Sequence, residues 1–121
     1  MVSATPARSA ARLRFAFGGR AAVVDITGAA AHGGDGRLGV AETGGTVFVG
    51  DADAWQTQWG LLGALRAQAS IVFDGCSLGD YRMISRRRDL PPPLAPGRDH
   101  VWVLPPEGAV RRASLGPVPP A

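Results

Sequence analysis

Cys76 and Ser77 follow the apolar run Ile71-Val72-Phe73 and the turn Asp74-Gly75, at a point where a strand would give way to a helix. A thiol at a helix N-terminus can have a lowered pKa and act as a nucleophile if a base stands near. His32 and His100 are the two histidines, and no spacing brings either to Cys76, so the residue reads as a structural cysteine. His32 with Asp35 has the types of an acid/base or metal pair, but two ligands on a glycine-rich loop make neither site. Gly50-Asp51 resembles the strand-to-helix turns where α/β proteins hold anions, yet Asp51 and Asp53 put negative charge where a phosphate needs donors. Helix capping is the better reading. Trp55 and Trp59 stand one helical turn apart, as in a base-stacking platform or, more commonly, a core stripe. The run Arg86-Arg87-Arg88 is the candidate contact for phosphates or an acidic partner, although charges at a helix end are also favoured by the helix dipole alone.

What is missing decides more. All 13 basic residues are arginine. Without lysine the chain has no P-loop lysine, no Schiff base and no lysine general base. It also lacks the GxxxxGK[ST] phosphate cradle and a strand ending in paired acids, so no catalytic, cofactor-binding or metal residues are assigned. Cys76 is the sole cysteine, which excludes an intrachain disulfide, a CxxC pair and a multi-thiolate zinc site, and fits a reducing cytoplasm. The net charge of +3 and pI near 10.4 are compatible with nucleic acid or an acidic surface, and equally with a solvated basic surface.

The elements that would position these residues fit one domain of 121 residues. Residues 1–11 are small and polar and are expected to be disordered, with the domain spanning 12–115 and a proline-rich tail at 116–121. Leu13, Phe15 and Phe17 alternate with Arg14 and Ala16, then Gly18-Gly19 leads into Ala21 to Ile26, which predicts a β-hairpin. Residues 27–45 form a Gly-rich segment, either a functional loop or a connector. Thr46-Val47-Phe48-Val49 predicts a buried strand, and Asp53 with Gln56 has capping-box spacing for a helix from Ala54 to Ala67. The pattern repeats with Ile71-Val72-Phe73 and a second helix capped by Ser77, with Asp80 favouring its N-terminus and Tyr81 and Ile84 facing the core. Arg86 to Asp89 and Pro91-Pro92-Pro93 end that helix, and His100 to Leu104 and Val110 to Leu115 suggest a terminal hairpin. The two βα units are expected as parallel neighbours with Val47, Phe48, Val49, Trp59, Leu62, Val72 and Phe73 in one core. No secretory h-region or membrane-length apolar run is present in the sequence.

The stretch Val49-Gly50-Asp51-Ala52-Asp53-Ala54-Trp55-Gln56, with Trp59, Leu62 and Leu65, then Val72-Phe73-Asp74-Gly75-Cys76 and Arg88-Asp89-Leu90-Pro91-Pro92-Pro93, resembles a region near the C-terminal end of bacterial FtsK/SpoIIIE-type ATPases. The resemblance runs from Gly45 to Leu115 and is strongest to forms from high-GC bacteria, including multi-ATPase chains with forkhead-associated domains. It implies a relation to nucleotide-binding, RecA-like hexameric motors that translocate DNA or drive type VII secretion. The chain departs from them in lacking the nucleotide-binding core, so no catalytic residue carries over.

The fold expected is α/β: a small parallel βαβα unit with flanking β-hairpins, an incomplete RecA-like or accessory module. The function expected is that of a non-catalytic C-terminal module or fragment acting by docking to an FtsK/SpoIIIE-type ATPase core or hexamer, with DNA as a second candidate partner, in the cytoplasm or at the membrane through a partner. An independent Arg-rich nucleic-acid-binding domain is the alternative, and a small α/β enzyme built on Cys76 and a histidine is the third reading.

Overall fold

The computed structural model describes residues 1–27, 45–94 and 99–114. The elements run β1 (Val2–Ser3), α1 (Pro6–Phe17), β2 (Ala22–Asp25), β3 (Thr46–Val49), α2 (Ala52–Thr57), α3 (Trp59–Arg66), β4 (Ile71–Asp74), α4 (Leu78–Ser85), β5 (His100–Leu104) and β6 (Arg111–Ser114). The fold is mixed α/β, with a four-stranded sheet ordered β1-β4-β5-β6 and a two-stranded parallel sheet β2-β3. A parallel bridge from Val2 to Gly50, just beyond β3, brings the two sheets together at β1. Strands β1 and β4 are parallel, while β4-β5 and β5-β6 are antiparallel.

The N-terminal residues are where the structure differs most from expectation. Residues 1–11 hold β1 and the start of α1, so the fold does not begin at residue 12. Helix α1 starts with Pro6 in its first turn, where a missing N–H is harmless, and ends at Gly18 in the left-handed conformation. Ala and Arg, which dominate between, are strong helix formers. The alternation of Leu13, Phe15 and Phe17 therefore misled: on the helix Leu13 and Phe17 share a face, and Phe15 points to solvent. Instead of a hairpin, residues 22–25 pair in parallel with β3.

Strands β3 and β4 are not neighbours, because β1 lies between Gly50 and β4. The β1-to-β2 and β3-to-β4 connections thus step in opposite directions across the strand order β2-β3-β1-β4, and right-handed crossovers put α1 and the α2-α3 pair on opposite faces. The core joins Val2, Ile26, Phe48, Trp55, Leu62, Phe73, Tyr81 and Ile84. Val47 and Val72 are only partly covered.

The helix expected from Ala54 to Ala67 is two helices, broken at Gln58 with φ −109° and ψ 44°. Asp51, not Asp53, caps the first, its carboxylate accepting from the Ala54 N–H at 2.7 Å. Ser77 caps α4 as expected, in a complete capping box with Asp80, and Tyr81 and Ile84 are buried. The C-terminal hairpin β5-β6 also forms. The tail 116–121 and most of the Gly-rich segment 27–45 lie outside the described residues.

Candidate docking site

Three groupings of side chains merit a functional reading. The first sits at the carboxyl ends of the parallel strands, the place where open α/β sheets bind ligands. Ser3 and Ser9 share a hydrogen bond of 2.7 Å, Ser9 donates to the Asp74 carboxylate at 2.7 Å, and the Thr5 N–H donates to Ser3 at 3.0 Å. Asp51 and Asp80 are engaged as helix caps at the same ends. Three carboxylates give a phosphate nothing to bind and leave these groups holding loops to helices. Among the described residues no cluster of three or more His, Cys, Asp or Glu is placed to hold a metal.

Cys76 lies beside this cluster. Its thiol donates to the Val2 carbonyl at 3.3 Å, and burial, with Asp80 and Asp74 adding, pushes its pKa up to about 12. That is the reverse of thiolate activation: the helix N-terminus is outweighed by lost solvation and nearby negative charge. His32 and Asp35 lie outside the described residues, and His100 begins β5 on the far side of β4.

The second grouping is the arginine run. Arg86 takes the left-handed conformation as the C-cap of α4 and lays its guanidinium over Trp59, 4.6 Å from the ring centroid. Trp59 is therefore not a core residue; it is 40% exposed and carries that cation over its ring. Arg87 pairs with Asp89 at 3.1 Å and donates to the Gly108 carbonyl at 2.9 Å. Tyr81 donates to the same carboxylate at 3.0 Å. Burial alone would raise the Asp89 pKa, but the bonds from Tyr81 and Arg87 outweigh it and hold the carboxyl below its ordinary value. Arg86 and Arg88 are exposed, and Arg88 makes neither an ion pair nor a ring contact among the described residues, so the structure does not converge the three arginines on one ligand.

The third grouping, which no sequence motif signals, is an apolar cleft of about 410 Å³. Strand β1 pairs with β4 only at Phe73 and Asp74 and meets the β3 side only at Gly50, so below Met1 the edges of β3 and β4 stand apart. Thr46, Val47 and Phe48 line one side and Ile71 and Val72 the other. Leu13 and Phe17 of α1 close it on one face and Leu62 and Leu65 of α3 on the other. Among the described residues no charged side chain lines it. At its head the Met1 amine donates to the Phe48 carbonyl, and the Met1 carbonyl accepts from the Trp55 indole at 2.9 Å. Burial lowers the amine pKa from 8.0 to about 5, so it is neutral at pH 7.

Compared with protein-family models, with characterised proteins and with solved structures, the chain matches none. No described helix is long and apolar enough to cross a membrane.

Proposed function

We propose that the chain is a non-catalytic docking module, and that the assembly it joins is an ATP-driven motor of the FtsK/SpoIIIE type. The observation that carries the docking part is the apolar cleft between β3 and β4: two strand edges facing each other across an open gap favour recruitment of polypeptide. The class of motor rests on the resemblance over residues 45–115. The polar groups at the strand ends support a non-catalytic role, since Asp51 and Asp80 are engaged in capping, Asp74 by the Ser9 hydroxyl and Cys76 by a backbone carbonyl. Binding to nucleic acid gains little support from the arginine run, because Arg86 and Arg87 are occupied within the fold.

The test is to mix the chain with an FtsK/SpoIIIE-type motor domain and follow association by analytical ultracentrifugation at several salt concentrations. A complex at tens of micromolar that persists as salt rises is expected, because an apolar contact is only weakly screened. A monomeric, folded chain that never associates would overturn the docking reading.

A further inference from the structure

The chain leaves α4 through Pro91-Pro92-Pro93, and this segment is strapped to the sheet by side chains. Each proline ring fixes φ at about −65°, and Leu90, Pro91 and Pro92 each precede a proline and are confined to extended backbone. No helix, strand or turn forms from Leu90 to Leu94, so the segment follows the polyproline II course of about three residues per turn. Every third residue then shares a ridge. Pro91 is buried and Leu94 packs against the core, which turns their ridge toward the protein. Leu90 and Pro93 make the next ridge, and both are exposed, Leu90 to 76%. The Trp102 indole of β5 donates to the Pro92 carbonyl at 2.6 Å, and Arg112, its register partner on β6, donates to the Pro93 carbonyl at 3.3 Å. Asp89, at the start of the strap, is held by Tyr81 and Arg87. The sheet thus reads one side of the strap with an aromatic N–H and a cation, leaving the Leu90 and Pro93 side facing out.

We propose that this outer ridge, Leu90 with Pro93, is a recognition surface for a partner protein whose groove is lined by aromatic rings and carries a carboxylate at one end. Prolines offer no N–H, so apolar contact with flat rings is the main attraction that such a ridge presents. The carboxylate follows from Arg88, which is exposed two residues before Leu90 and has no ion pair among the described residues. That charge sets which way round the ridge enters the groove. A single exposed leucine is ordinary on a protein surface. What distinguishes Leu90 is its rigid mount: the bonds at Asp89, Pro92 and Pro93 hold the ridge in its bound shape beforehand, so little ordering is left to oppose association. The surface is separate from the apolar cleft, and the proposal stands or falls independently of the motor.

The probes are an isotope-labelled WW domain and an isotope-labelled Src-homology-3 domain, the second chosen with a carboxylate beside its aromatic groove. Each is titrated with the whole chain while the groove resonances are followed by NMR. At least one is expected to bind with a Kd below ~1 mM. Leu90→Glu should weaken that binding at least ~10-fold, and Arg88→Glu about 3-fold while removing its salt dependence. Hydroxyl-radical labelling of the chain alone is expected to oxidise Leu90 readily. No binding by either domain at millimolar concentration overturns the proposal, as does binding that Leu90→Glu leaves unchanged. So does a Leu90 protected in the chain alone, whether by its own residues or by a second copy. Should Leu90→Glu unfold the chain by circular dichroism, the response to Arg88→Glu decides.

Discussion

Phe73 has no exposed surface, and its ring meets Tyr81 edge-on at 5.2 Å, which in turn meets Trp102 at 5.6 Å. Truncating the first ring removes its burial and deprives Tyr81 of one of its two ring partners. Phe73→Ala is therefore expected to cost about 3–5 kcal/mol in urea unfolding, more than the loss of any exposed side chain. Gly50 is fixed for a different reason. A Cβ there would lie 2.5 Å from Cγ1 of Ile26, a fully packed side chain, and 3.4 Å from Cβ of Ala54. Gly50→Ala should lower stability by about 1–3 kcal/mol through overpacking, read from the urea midpoint. The sequence shows Phe73 as a core residue by its place in an apolar run. It shows Gly50 only as a turn, because the side chain that crowds it, Ile26, comes from just past β2, whose pairing with β3 was not foreseeable.

The broken helix shows what periodicity hides. Trp55, Trp59 and Leu62 have the spacing of one buried stripe, yet the break at Gln58 divides them: Trp55 is buried with its indole on the Met1 carbonyl, and Trp59 is turned out beneath Arg86. Gly60 and Gly63 weaken the second half of the helix, so little opposes the turn. Spacing alone cannot register a break that depends on where β1 lies. By contrast the α4 boundaries were legible, since a Ser77-Asp80 capping box is a local device that needs no tertiary partner. Its far end carries a trade-off. Arg86 adopts φ 59°, which costs a non-glycine residue about 1–2 kcal/mol, and its stacking on an exposed Trp59 recovers about 0.5–1 kcal/mol. Arg86→Gly is expected to change stability by less than about 1 kcal/mol while shifting the tryptophan emission; a large loss of stability would show that the stack matters more than the backbone.

At the scale of the whole molecule, two buried groups near β1 set a pH window. The Met1 amine is lowered from 8.0 to about 5 by burial, so between those values the unfolded chain holds a proton that the folded chain does not, and stability falls as pH drops through that range. Cys76 is raised from 9.0 to about 12, so above pH 9 the unfolded chain loses a proton that the folded chain keeps, and stability falls again. Each slope is at most about 1.4 kcal/mol per pH unit. Thermal unfolding should show a maximum near pH 8–9, and a flat profile from pH 5 to 9 would mean that the amine is solvated. The mixed α/β class was readable from the two repeated strand-to-helix patterns, and so was the C-terminal hairpin. The cleft and the central position of β1 were not, because two residues are too few to carry a periodicity, and their role is defined entirely by strands far along the chain. That same remoteness governs how the molecule reaches its fold. Val2 cannot pair with Phe73 until about seventy intervening residues have been brought round, a separation typical of slow, topology-limited folders. During synthesis β1 leaves the ribosome well before β4, and that pairing has to wait until β4 has emerged.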